Sequence, residues 1–288
     1  MSNPILRTSR RLEDLPYRFW PQSSLPPGVE APTKLVNVKA ADFKKTYNKV
    51  VNPVVKAAGF KCSGATARKN DARLWRMVWY GTGKYGGSGV VALAAHFPGL
   101  PARNDYTLPE SEFSYPNGLF LGALELAPGL REFDLGRGDE EPAETARLMA
   151  ESFAEQALPW LERIESAEED LLALSSTGWA EPMADLYQQL VLRLVDFNLE
   201  PGKVPLPQSA QLLARLNARR ERTVEARAFA EQGIAAVYRE FAEYPHARHT
   251  WILRFERLLA GDRTFVLDAA ARAEVDRRVA AEANVASG

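Results

Sequence analysis

Few residues in this sequence stand at spacings that do chemistry. His246 and His249 are three positions apart, so on a helix they would share a face and supply two ligands of a metal site. No third ligand follows at a zinc-like spacing, and Pro245 puts the pair in a helix's first turn, where it reads as solvent-facing or capping. Gly81-Thr82-Gly83-Lys84 after a strand suggests a phosphate loop. Such a loop needs a glycine five positions before the Gly-Lys pair, a Ser or Thr after it, and a helix beneath the phosphates. Val78 and Tyr85 stand at those positions and a strand follows, so a hairpin loop is expected instead. Glu140-Glu141, Glu168-Glu169-Asp170 and Asp105 hold enough carboxylates for an acid–base pair, yet no spacing brings two together, and helix-end acids serve the dipole. The chain has one cysteine, Cys62, read as a small strand residue. An internal disulfide is therefore impossible, which fits a reducing compartment.

The basic residues are better placed to form a surface. Lys45, Lys49, Arg68, Lys69, Arg73, Arg76 and Lys84 are interleaved with Trp75, Trp79, Tyr80 and Tyr85, as in binders that combine cations with aromatic platforms. Trp75, Met77 and Trp79 share one strand face, however, which predicts a core-facing row. We take Lys45, Lys49, Arg68, Arg73, Arg76, Lys84 and His96 as the candidate contacts for a partner or an anionic ligand. Net charge is −1, but unevenly spread: residues 1–90 carry +11 and residues 139–170 carry −9. Two oppositely charged stretches of this size are expected to attract each other. The run from Arg215 to Arg227 reads as a solvated face of Glu/Arg pairs.

The elements that must position these groups divide in two. Residues 1–40 are proline-rich and aperiodic, with Leu15, Tyr17, Phe19 and Trp20 marking an arm that packs on its own domain or on a second copy, giving a homo-oligomer. A helix follows from Asp42, striped by Phe43, Tyr47, Val50, Val54 and Ala57, with a kink or break expected at Pro53 and a stop at Gly59. Strands are expected over Phe60–Arg68, Ala72–Tyr80, Val90–Phe97, Leu119–Leu126 and Arg131–Leu135. From Asp139 the period is helical, with a bend expected at Pro159 and a capping box at Ser166 and Glu169 opening a short helix. Further helices are expected at about 182–198, 208–220, 222–243, 247–260 and 265–283, after a boundary at 175–182. The fold class is thus α+β: a helix on an antiparallel sheet of four or five strands (41–174), then a helical domain (182–283).

The stretch Phe43…Val50-Val51-Asn52-Pro53-Val54-Val55-Lys56-Ala57-Ala58-Gly59-Phe60-Lys61 is a helix ending in proline, then Val-Lys, then Gly-Phe-Lys. With Arg68, the aromatic strand Leu74–Tyr80 and the Gly/Ser loop before Gly89–Phe97, it resembles the bacterial family catalogued as domain of unknown function 4304. Ala150–Ile164 and Asp170–Leu174 resemble the family's closing helix and Leu-rich turn. The resemblance covers residues 41–174, implies the fold of that part, and brings no established activity.

No catalytic signature, signal peptide or membrane span is read from the chain, so a cytoplasmic, non-enzymatic protein-binding module is the expectation, an immunity-like role being one form of it. No cofactor or metal is expected. The alternatives are an enzyme or small-molecule binder using Arg68, Arg76, Lys84 and His96 between sheet and helices, and nucleic-acid binding through the first 90 residues, the least favoured.

Overall fold

The computed structural model describes residues 8–29, 38–82, 87–100, 108–136, 140–183, 206–262 and 267–286. Helix α1 (Ala40–Ala57) buries Phe43, Tyr47, Val51 and Val55 and continues unbroken past Pro53. Proline costs about 3 kcal/mol in a helix interior, whereas each of four buried side chains gains roughly 1.5–3 kcal/mol. Packing wins, and the carbonyl left without a donor belongs to Lys49, an exposed residue.

An antiparallel meander follows: β1 (Lys61–Ser63), β2 (Thr66–Asn70), β3 (Trp75–Thr82), β4 (Ser88–His96) and β5 (Phe120–Ala123), in that order, with β6 (Phe133–Asp134) also pairing β4. The strand expected over Phe60–Arg68 is two, because Gly64 at φ +64° turns the chain back at Ser63↔Thr66. Asp71 Oδ1 accepts the Arg73 and Leu74 amides at 2.8 and 2.9 Å and so closes the β2–β3 turn. Since β3 runs along β4 over its whole length, β5 and β6 share the opposite edge of β4, one at each end.

Leu74, Val78 and Tyr80 with Val91, Leu93 and Ala95 form the sheet's inner face, packed on α1 and on α2 (Glu140–Ser152) and α3 (Leu158–Ala173). Between α2 and α3 lies a π turn, Phe153–Ala157, immediately before Leu158-Pro159. It presents the buried Gln156, whose amide clasps the backbone of Glu125 twice, accepting its N–H at 2.9 Å and donating to its carbonyl at 2.6 Å. The expected capping box does not form. Ser166 instead donates to the Arg163 carbonyl at 2.9 Å, and the buried stripe Trp160, Ile164, Ala167, Leu171 carries α3 on as one helix.

The second half holds α4 (Leu206–Arg219), α5 (Thr223–Glu240), α6 (Pro245–Leu259) and α7 (Ala269–Ala286). The helix expected at 182–198 falls mostly outside the described residues. Helix α4 is buried all round from Ser209 to Asn217. The buried apolar side chains of sheet and helices join in one cluster, from Leu15 in the arm to Leu258 in α6. A small separate cluster of Leu253, Ala271 and Val275 seats α7. The arm packs on its own chain: Leu15 and Phe19 are buried, and the Trp20 indole donates to the Leu15 carbonyl at 2.9 Å. Among the described residues, no helix is long and apolar enough to cross a membrane.

Candidate functional site

The opposed charges of the two stretches meet inside the molecule, and arginine carries the contact. From the arm, Arg10 pairs with Glu151 at 3.0 Å and Arg18 with Glu144 at 2.6 Å. On β3, Arg76 is almost fully buried and reaches Asp71 at 2.7 Å and Glu165 at 2.8 Å. Burial would push the Asp71 carboxyl up, but hydrogen bonds from Arg76 and from the Leu74 and Arg73 amides outweigh it and hold it below the usual range. At the seam of sheet, α3 and α4, the buried Glu168 accepts Arg220 through both oxygens at 3.1 and 2.7 Å, with Arg73 at 3.7 Å and Arg219 at 3.9 Å. The hydrogen bonds to Glu168 raise the Arg220 pKa, whereas burial lowers that of Arg219. Glu168 thus lies towards the C-terminal end of α3, not at a helix N-terminus as its sequence cluster suggested.

The remaining candidates separate. Cross-strand pairing puts Arg68 and His96 on the outer face of the sheet and Arg76 on the inner one, so these three share no pocket. Arg68 donates to the Phe113 carbonyl at 3.0 Å. His96 is fully buried, stacked on Trp75 at 5.8 Å, and its Nε2 bonds the Leu100 carbonyl at 3.2 Å. Burial lowers its pKa to about 4, so the ring is neutral at pH 7. Lys84 lies outside the described residues, as does Asp105. His246 and His249 face α7, at 3.6 Å from Asp276 and 2.8 Å from Glu282. Among the described residues, no three His, Cys, Asp or Glu side chains could hold a metal ion. Two open depressions of about 550 and 590 Å³ flank the arm against the 127–134 turn; of the arginines lining them, Arg18 and Arg10 are paired to α2 and Arg131 to Glu125.

Lys45 and Lys49 belong to a different arrangement. Seven of the chain's ten lysines fall between residues 39 and 69: Lys39, Lys44, Lys45, Lys49, Lys56, Lys61 and Lys69. All seven are exposed, as is Arg68, on α1, on β1 and β2, and at Lys39 just before α1. Asp42 is the one acidic residue between 38 and 70, and its 3.0 Å pair with Lys45 is the one ion pair these eight cations make among the described residues. Lys44 Nζ lies over the β1–β2 turn, 3.8 Å from where a Cβ on Gly64 would stand, and Lys69 donates to the Ala58 carbonyl at the end of α1. Helix and hairpin therefore present one cationic face with a net charge of +7 over residues 38–70.

Of these cations, Lys61 and Arg68 stand on the outer side of the sheet, the side away from α1. The buried half of this side (Trp75, Met77, Ala94, Leu121) is covered by Leu108 and Phe113. Beyond it, Trp79 is 37% exposed, and its indole stacks on Tyr115 at 6.1 Å and 14° between planes. The indole lies along its own strand over Gly81, where a Cβ would come within 2.1 Å of Trp79 Cη2. Trp79 thus departs from the core-facing row expected of it. Alternation shows which residues share a face, not how far the covering segment extends. The lysine cluster was visible in the sequence, but counting lysine and arginine together hid it.

No known family, curated protein or solved structure matches the chain.

Proposed function

We propose that this protein is a non-enzymatic binding module that docks an acidic protein partner on the lysine face formed by α1, β1 and β2. The observation that carries this reading is the segregation of its cations. Arginines of the basic first third pair with the acidic helices α2 and α3, while the lysines of residues 39–69 are exposed and, among the described residues, have Asp42 as their single ion-pair partner. Like charges gathered on one surface repel one another, and an anionic surface brought to them relieves that repulsion. Lysine suits such a face, because its ammonium is a hydrated point charge that steers encounter without demanding one docking geometry.

The test uses poly-glutamate as the probe. Binding by the full chain is expected at low ionic strength and should fall steeply as salt rises towards a Debye length of about 8 Å. The triple variant Lys45→Glu, Lys49→Glu, Lys56→Glu lowers the net charge of the face by six and should bind at least tenfold more weakly, with an unchanged urea midpoint. Equal binding by the triple variant would remove the lysine face from the reading. Tighter binding of an oligothymidylate of equal charge would assign the face to nucleic acid.

A further inference from the structure

We infer that the Trp79–Tyr115 stack, with Arg68 beside it, is the anchoring site for an aromatic side chain of the acidic partner. This rests on the lysine face being a docking surface, and it adds the partner's second chemical feature: an aromatic residue within an acidic segment. Trp, Tyr and Arg are the residue types that dominate binding energy at protein interfaces, typically at the centre of a ring of weaker contacts. All three converge here. The Thr66↔Trp79 and Arg68↔Met77 registers put Arg68 one diagonal step from the indole, and its guanidinium is fixed on the Phe113 carbonyl, two residues from Tyr115. Lys61 stands opposite Arg68 on β1, so cations border the aromatic pair on the hairpin side.

The platform is already assembled in the free chain. Gly81 leaves the indole room to lie flat, the phenol ring of Tyr115 holds its edge, and the buried cluster of Trp75, Met77 and Phe113 supports it from below. A partner ring added to the exposed part would extend an offset stack already formed, so little side-chain freedom remains to be lost on binding. Charge selects the class of partner: an acidic segment brings its carboxylates to Lys61 and Arg68 while its ring meets Trp79. The lysines further out act on encounter, and the aromatic pair on residence.

The experiment compares two acidic polymers on the full chain, poly-glutamate and a glutamate–tyrosine copolymer of the same length, with oligothymidylate as a third probe. The copolymer is expected to bind about tenfold more tightly than poly-glutamate, through slower dissociation. Trp79→Ala and Tyr115→Ala should each erase that advantage while leaving poly-glutamate binding unchanged, and Trp79→Phe should restore most of it. Thermal melts identify a variant that fails to fold, and two independent positions keep the comparison open if one does. Equal affinity for the two polymers, or an advantage that survives both alanine variants, would overturn the anchoring site and leave the lysine face standing. An oligothymidylate preference lost in Trp79→Ala would overturn it in favour of a nucleobase platform. Absence of poly-glutamate binding at low salt would overturn the parent reading itself.

Discussion

Glu168 is the residue whose loss the ion-pair seam should feel most. The perturbation is Glu168→Gln, which keeps the side-chain shape and removes the charge facing Arg220, Arg73 and Arg219. Breaking a buried pair by removing one partner costs about 3–5 kcal/mol. That range needs a discount here. The side chains of Arg220 and Arg73 are 37% and 53% exposed, so both can rehydrate, and the glutamine can still accept one bond from Arg220. Arg219 is 23% exposed and has less recourse to water, its charged form being disfavoured by burial already. A loss of about 2–3 kcal/mol is the balance. The neighbouring carboxylate supplies the control: Glu169 is 66% exposed and pairs with two of the same arginines, so Glu169→Gln should cost at most about 0.5 kcal/mol. Urea unfolding followed by circular dichroism reads both, with an unchanged m value showing that only stability moved. If the two variants lost equal stability, or Glu168→Gln lost less than about 0.5 kcal/mol, the seam would not be the joint between sheet and helical half that its geometry describes.

Two further outcomes follow from the packing. A Cβ on Gly233 in α5 would stand 2.2 Å from Phe255 Cζ in α6, so Gly233→Ala should destabilise by about 1–3 kcal/mol despite a helix-propensity gain of about 1 kcal/mol; a raised urea midpoint would show the α5–α6 contact to be looser than this. His96 is held neutral by burial, with a pKa of about 4 against 6.5 unfolded, so the unfolded chain binds its proton first. The stability that His96 contributes is complete above pH 6.5 and lost as pH falls towards 4, by at most about 3 kcal/mol. Its ring carbon resonances should stay at neutral positions down to pH 5, and titration near 6.5 would contradict its burial.

How much of this was legible beforehand depends on whether a feature is local. The strand over Ala72–Tyr80 and the helix from Asp42 are written in consecutive residues and appear where expected. However, β3 is buried on both faces, and beyond Tyr47 the buried stripe of α1 is Val51 and Val55 instead of the expected Val50, Val54 and Ala57, because the sheet and α2 set which side of the helix faces inward. The β1–β2 turn was lost because one glycine in a short strand weakens the pattern without marking a reversal, and only the positive φ at Gly64 identifies it. The π turn at Phe153–Ala157 has no periodic signature, since the stripe on either side of it continues in phase with burial. Charge was legible as a sum over stretches but not as pairs: Arg76 and Glu165 are 89 positions apart, and only the fold brings them to 2.8 Å.

The contrast between the two cations follows from their chemistry. Guanidinium is planar and weakly hydrated, and it can meet a carboxylate through two nitrogens, as Arg220 does at Glu168, so it tolerates the desolvation of a seam between packed elements. An ammonium has no comparable fork and holds its water more strongly, which makes a buried lysine costly and an exposed one inexpensive. A chain that needed its first third basic only to hold its acidic helices would place arginine there and little else. Residues 39–69 instead carry seven exposed lysines on α1, the hairpin and the residues flanking them, where Asp42 is the one acid they pair with among the described residues. The +11 of the first 90 residues is therefore two quantities of different kinds: an arginine part that is internal architecture, and a lysine part whose counter-charge must come from another molecule.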